Sequence, residues 1–512
     1  MTEPDAAQAE PVVAPPLDSR LADGQWHRLH PATPLLRGGI AFVAILGVVL
    51  VNLRDLWIEI LIGGPGDEAE PFEYLIEHEL LGLVLLAVLL GLLLTIGGFW
   101  LSWRMHTFRI TDELVEVRSG ILFRTHRRGR LDRIQGINIV RPFLARLFGA
   151  AKLEVNVAGQ DANVSLAYLG SAAADELRRD ILLLASGTRA EATTGDRAQS
   201  GSVIERRVNE LLAPELDPDA APPESVVQLN TGRLVGSIAL SALPLLLIAF
   251  GLVIGLSLGL VRSGWLLFSL VPVAIGFGGY YLSRITKSLR YSIAATPDGV
   301  RVGHGLFTTS NETLPPGRIH AVQVSQPLVW RPFGWWEIKI NRASQSQAQG
   351  AAGQANTTIL PVGNLGDVRK VLELIVPTIA DDPVIDSGLG RASDEDGFVN
   401  SPPRARVLRW FSRKRNGFAL RSGVVLLRRG AVWRQLVIVP QARLQSVSLR
   451  QGPVLRSLRL AAIRLHTVAG PVSAQLGAID ATEAERAFAD IADAAVAAAD
   501  SDTSHRWRER PA

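Results

Sequence analysis

The sequence predicts three small β-rich modules, each closed by a C-terminal helix, carried on two pairs of transmembrane helices. Three observations predict it: a thirteen-residue spacing that recurs three times, four long apolar runs, and a helical pattern ending each repeat. The spacing joins Gly120, Arg133 and Arg146, then Gly305, Arg318 and Arg331, then Gly430, Arg443 and Arg456. Behind each middle arginine, Ile137 and Ile139, Val322 and Val324, and Val447 and Leu449 alternate with polar Asn138, Gln323 and Ser448. That is the period of a half-buried strand, and three copies of it mean one module repeated.

Residues 1–34, rich in Pro and Ala, read as a flexible lead-in. The first hairpin, 35–104, holds the apolar runs Gly38–Leu53 and Leu80–Trp103; the second, 229–283, holds Leu234–Val261 and Trp265–Leu282. Helices of this length cross roughly 30 Å of hydrocarbon. A buried-core helix is the competing explanation, but these runs lack an amphipathic stripe. They end in Trp57, Trp100, Trp103, Trp265, Tyr280 and Tyr281, which suits interfacial aromatic belts. Arg28 and Arg37, Arg104 and Arg109, Arg233, and Arg284, Lys287 and Arg290 flank the hairpins, whereas the first hairpin loop carries Asp67, Glu68, Glu70, Glu73, Glu77 and Glu79. The positive-inside bias then predicts a multi-pass protein of the cell inner (plasma) membrane, with both termini and all modules cytoplasmic.

Module one, 107–186, has strand-like stretches at Leu114–Arg118, Ile121–Thr125, Ile134–Val140, Leu153–Val157 and Val164–Tyr168. It closes with Ser171–Leu184, where Leu177, Ile181 and Leu184 share a helical face. A linker, 187–223, leads to the second hairpin. Module two, 289–380, closes with Gly366–Val376, and its Gln-, Ala- and Gly-rich Ser344–Thr357 reads as a lengthened loop. An acidic linker, 381–403, precedes module three, 404–499, which closes with Thr482–Ala498; 500–512 is a tail. Several short strands followed by one helix predict an antiparallel sheet or barrel capped by that helix.

These parts, with Gly-x12-Arg-[Ile/Leu]-[Gln/His] and then Arg146-Leu147-Phe148-Gly149, resemble the second type of bacterial PH-like domain. The order of parts is similar to that of YdbT-type membrane proteins, which carry three such domains. Module two keeps Arg331-Pro332-Phe333-Gly334, while module three has Arg456-Ser457-Leu458-Arg459. The resemblance implies a folded antiparallel sheet with a C-terminal helix, and it implies no established activity.

Catalytic signatures for phosphate loops, zinc proteases, serine hydrolases and dinucleotide binding are missing, so no enzyme, metal or cofactor is expected. The chain has no cysteine, which excludes disulfides and thiolate metal sites. His106, His126, His304, His320 and His466 stand singly. Asp132 beside Arg133 reads as a local ion pair. The repeated arginines could fork onto phosphate or carboxylate, but recurrence at one place in every copy favours turn or strand-edge residues bonded to carbonyls. Leu144, Val329 and Leu455 read as core.

Charge is more informative. Between Ser401 and Gly470 there are fifteen Lys or Arg and no Asp or Glu, although the chain nets only +4. Arg404, Arg406, Arg409, Arg413, Lys414 and Arg415, interleaved with Trp410 and Phe411, suit the anionic inner leaflet; Arg124, Arg127, Arg128 and Arg130 form a second candidate edge. A solvated face neutralised by the acidic linker is the competing explanation. Expected partners are anionic membrane lipids and a protein partner or self-association; nucleic acid is disfavoured, because the hairpins hold module three beside lipid. The function expected is a membrane scaffold or adaptor. The alternative is a transport or envelope-stress accessory whose transmembrane helices do the work.

Overall fold

The computed structural model describes residues 21–33, 36, 81–120, 124–158, 163–185, 226–241, 251, 255, 265–296, 298–315, 317–343, 357–390, 396–421 and 423–502. The first apolar run, the acidic hairpin loop, the 187–223 linker, most of the lead-in and tail, and the Gln-rich loop up to residue 356 lie outside them.

Each module repeats one order: four strands, three strands, one helix. Module one has β1 (His27–Arg28), β2 (Thr107–Ile110), β3 (Leu114–Ser119), β4 (Thr125–Arg130), β5 (Ile134–Arg141), β6 (Ala150–Val157), β7 (Val164–Gly170) and helix Ser171–Ala185. Module two has β8 (Val226–Gln228), β9 (Ser292–Thr296), β10 (Gly299–His304), β11 (Thr309–Leu314), β12 (Ile319–Gln326), β13 (Trp336–Arg342), β14 (Thr358–Gly363) and helix Leu365–Ile375. Module three has β15 (Val399–Asn400), β16 (Gly417–Arg421), β17 (Val424–Arg429), β18 (Arg434–Pro440), β19 (Ser446–Arg450), β20 (Leu460–His466), β21 (Gln475–Asp480) and helix Ala481–Asp500. The closing helices bury the faces their spacing requires: Leu177 and Ile181, Val368 and Leu372, Ala484 and Ile491.

The sheets do not respect module boundaries. The three-strand half of module one joins the four-strand half of module two in the order β7-β6-β5-β11-β10-β9-β8. The next junction repeats it as β14-β13-β12-β18-β17-β16-β15. This leaves β1-β2-β3-β4 at one end and β19-β20-β21 at the other. At the first junction Asn138 pairs with Glu312 and Ile139 with Asn311. At the second, the equivalent Gln323 pairs with Val437 and Val324 with Leu436. Shared sheets bury polar residues on the strand face expected to meet water. Asn138 accepts from Ser310 Oγ (2.8 Å) and donates to Glu154, and Glu312 is paired with Arg342 and accepts from Asn156.

The expectation of four transmembrane helices in two hairpins, and of a multi-pass inner-membrane protein, is overturned. Among the described residues no helix is long and apolar enough to cross a membrane. Of the four runs, the first and most of the third lie outside the described residues; the second and fourth are helices Leu81–Arg104 and Trp265–Ser288. At their described ends some apolar residues pack on protein, while Leu86, Leu90, Leu93, Leu94, Trp100, Tyr280 and Leu282 are exposed. Leu234 and Ile238, at the start of the third run, are buried against Trp330 and Val362 of module two. Tyr281 and Ile285 pack on the same cluster, so Tyr281 is a protein contact and not a belt residue. Trp103 packs on the core of module one and donates Nε1–H to Leu29 O (2.9 Å). The transport reading rested on the same four runs.

Residues 381–403, expected as an acidic linker, contain helix Pro383–Leu389, whose Val384, Ile385 and Leu389 are buried in the core shared by modules two and three. Three of its acids are paired locally: Asp396 with Arg428 (2.6 Å), Asp382 with Arg421 (3.3 Å) and Asp386 with Arg369 (2.7 Å).

The repeat also explains one strained residue. Gly149 and Gly334 adopt left-handed φ of 64° and 65°, and the equivalent in module three is Arg459 at φ 51°. A left-handed non-glycine residue costs roughly 1–2 kcal/mol, partly offset by the entropy glycine loses on folding. Arg459→Gly is therefore expected to raise stability by about 0.5–1 kcal/mol, read as a higher urea midpoint.

Candidate functional site

In every module the chain leaves the sheet after a first short strand (β1, β8 or β15) and returns to the strand paired with it (β2, β9 or β16). In modules one and two that excursion is the long apolar segment. In module three it is only residues 401–416, and it contains the densest part of the basic strip.

The strip divides into root and tip. At the root, Arg404 Nε donates to Leu458 O (2.9 Å), and its Nη2 donates to Arg459 O (3.2 Å) and to Asp480. Burial alone would raise the Asp480 carboxyl, but backbone N–H of Glu483 and the Arg404 guanidinium outweigh it and hold it below the usual range. Arg413 Nη1 donates to Ser401 O (3.2 Å), while Asn416 Nδ2 donates to Ser401 Oγ and Gly477 O, both at 2.7 Å. Arg415 is buried and fans onto Gly388 O (3.0 Å), Gly390 O and Gly430 O (3.2 Å). Burial, then repulsion from Arg428, lowers its guanidinium to about 10. Arg404, Arg413 and Arg415 are thus clamps, because a guanidinium satisfies several orphan carbonyls at once.

The tip is a single helical turn, Arg406–Arg409, followed by Trp410 and Phe411. Val407, Trp410 and Phe411 are 77%, 79% and 58% exposed, and the two rings lie 5.5 Å apart. Arg406 and Lys414 are exposed beside them. Arg409 is half-buried, and burial lowers its guanidinium. Burial likewise lowers Arg429, with repulsion from Arg409 adding to it, so two cations sit together where the surrounding sequence supplies no carboxylate. Such a pair, flanked by projecting apolar rings, can bind an anion at an apolar boundary.

The second candidate edge is different. Arg127 Nη1 donates to Asn163 O (3.2 Å), Arg128 pairs with Glu116 (2.8 Å), and Arg130 takes both oxygens of Asp132 (3.0 Å each). Arg124 is exposed. The ion pair expected between Asp132 and Arg133 is replaced by this one with Arg130, and Arg133 is exposed.

The repeated residues sit at turns and junctions. Gly120, Gly305 and Gly430 all have positive φ, at 107°, 112° and 81°. Arg318 Nη2 donates to Asp132 O of module one (3.0 Å), and Arg443 pairs with Asp502 (2.6 Å). Arg146 reaches Leu306 O of module two (3.4 Å); the equivalent Arg331 reaches Ala431 O and Val432 O (2.9 Å) of module three. Leu144 and Val329, expected as core, are exposed, because the short helical turns after β5 and β12 project outward; Leu455 is partly buried against Ala405 and Leu460. Phe143, Leu147 and Phe333 are exposed with them, an apolar feature that strand periodicity does not signal.

Residues 45–185, 235–375 and 404–495 each match the bacterial PH domain family. The chain belongs to the bacterial PH domain family. Three bacterial PH domains give it a scaffold or binding role, and PH domains are in general non-catalytic modules that bind lipids or proteins. No curated protein matches the chain. The third family match opens at the root of the module-three excursion, so this basic, aromatic segment belongs to the PH domain itself.

Proposed function

We propose that the chain is a non-enzymatic scaffold that docks on an anionic lipid surface through the tip of the module-three excursion. The observation carrying this reading is the exposure of Val407, Trp410 and Phe411 among Arg406, Arg409 and Lys414, in a stretch without a single carboxylate. Trp410 and Phe411 supply area for the headgroup boundary, where amphipathic rings are favoured. Arg409, already half-desolvated beside Arg429, takes a lipid phosphate with its planar fork, while Arg406 and Lys414 add longer-range attraction. The root clamps keep the tip ordered before contact, which lowers the entropic cost of docking.

Vesicle co-flotation of the full chain tests it. Each basic residue near an anionic surface contributes about 1 kcal/mol, so the doubly neutralised variant Arg406→Gln/Lys414→Gln is expected to bind anionic vesicles about 30-fold more weakly. Trp410→Ser is expected to weaken attachment to anionic and neutral vesicles alike. Equal flotation of the wild-type and doubly neutralised chains on anionic vesicles overturns the reading.

A further inference from the structure

We infer that copies of this chain join head to tail, β4 of one copy pairing with β19 of the next in the register already used at both internal junctions. The repeat makes this concrete. β4, β11 and β18 are equivalent strands, as are β5, β12 and β19, by the constant spacing of Gly120, Gly305 and Gly430 and of Arg133, Arg318 and Arg443. Inside the chain every available pairing between the two classes is made: β5 with β11, and β12 with β18. The two registers are identical, since Asn138 faces Glu312 and its equivalent Gln323 faces Val437, the equivalent of Glu312.

What remains is one strand of each class. β4 lies at the edge of its sheet beyond β3, and β19 lies at the edge of its sheet beyond β20; neither has a second strand partner among the described residues. A strand edge presents unpaired N–H and C=O groups, and these two are the complementary halves of a junction the chain builds twice. The unfilled state is visible in burial: Asn138 and Gln323 are buried within the junctions, whereas the equivalent Ser448 is only partly covered, as are Val447 and Leu449. The junction clasp is unfilled as well. Arg146 and Arg331 each reach a carbonyl of the following module, while the equivalent Arg456 is exposed and makes no side-chain hydrogen bond or ion pair among the described residues.

The inherited register places Ser448 opposite Arg127 of the second copy, and Val447 opposite Arg128. The contact is heterologous, so it propagates into an open chain or closes into a ring. Charge shapes its behaviour. β4 is rich in arginine and β19 carries Arg450, so backbone pairing works against like-charge repulsion that salt screens. Association is therefore expected to strengthen with ionic strength, the reverse of binding to an acidic partner.

The chain has no cysteine, which makes disulfide trapping clean. Full chains carrying Arg127→Cys are mixed with full chains carrying Ser448→Cys and oxidised, and compared with Arg127→Cys mixed with Arg450→Cys. Directly opposed residues fall within disulfide reach, but a two-residue slip moves the partner about 7 Å along the strand, so roughly tenfold more mixed dimer is expected from the first pair. Sedimentation velocity of the unmodified chain is expected to show species larger than the monomer that grow with concentration and salt. Equal trapping of the two pairs, a monomer at every concentration and salt, or a monomer whose β4 instead takes up an acidic peptide would each overturn the inference.

Discussion

Asp396→Ala is expected to destabilise the protein by about 3–5 kcal/mol, the usual cost of removing one partner of a buried ion pair. Arg428 lies in β17 with no exposed surface. Its Nη1 donates to Asp396 (2.6 Å) and Ser387 O (3.1 Å), its Nη2 donates to Asn400 Oδ1 (2.8 Å), and its guanidinium stacks 4.3 Å from the Phe398 ring centroid. These contacts fasten three pieces of backbone to the sheet: the end of helix Pro383–Leu389, the turn at Asp396 and β15. Alanine at 396 leaves a desolvated cation with only neutral acceptors. Relaxation that lets water reach the guanidinium would have to open the contact between Phe398 and the core. The urea midpoint is expected to fall at nearly constant m. Asp396→Ala/Arg428→Met, which removes both charges, is expected to lose much less, because the largest part of the single-variant penalty is the stranded charge. If single and double variants lose the same amount, the pair acts through packing alone.

That pair also shows where sequence reasoning reaches and where it stops. Periodicity found β3, β5, β6, β7 and the closing helices, because a face buried on one side leaves a mark within ten residues. Its second strand-like stretch, Ile121–Thr125, lies mostly outside the described residues, and it missed β4, Thr125–Arg130: an exposed edge strand of mostly polar residues has no alternation to read. The two-residue strands β1 and β15 are too short to carry any pattern. Helix Pro383–Leu389 hid for a related reason, since three buried apolar residues among Asp, Gly and Ser look like a linker by composition. Pairing between modules was invisible, because β5 and β11 are some 170 residues apart and neither sequence names the other.

The apolar runs misled in the opposite direction. Hydropathy reports that a segment leaves water and does not report what it meets; Leu234, Ile238, Trp103 and Tyr281 meet protein. For the candidate site, the basic strip was legible as composition. Its division was not, because Arg404, Arg413 and Arg415 spend their guanidinium groups on backbone carbonyls, and carbonyls have no sequence signature. The thirteen-residue spacing was legible as a repeat, but its second arginine belongs to a junction between modules, which only the topology reveals.

Gly305→Ala is the second large effect expected, a loss of about 3 kcal/mol, and it separates the two kinds of glycine in the repeat. Gly305 turns the chain between β10 and β11 at φ 112°, a region that costs a side-chain-bearing residue about 1–3 kcal/mol by itself. A Cβ there would also fall inside the van der Waals sphere of Thr308 O, a backbone atom held by the hairpin, so a rotamer change cannot relieve it. The turn has to open, and opening it moves β11, which pairs with β5 across the junction of modules one and two. Amide exchange in both strands is therefore expected to accelerate, including in β5, which lies in another module and more than 160 residues away. Gly334→Ala is the matched control: φ is 65°, nothing lies within 4 Å of the added Cβ, and module three already tolerates Arg459 at that place. Its cost is expected to be about 1 kcal/mol, with no change of exchange in β5. Equal losses for Gly305→Ala and Gly334→Ala would mean that the repeated glycine serves only backbone freedom. A larger loss at Gly305 with faster exchange in β5 ties it to the shared sheet.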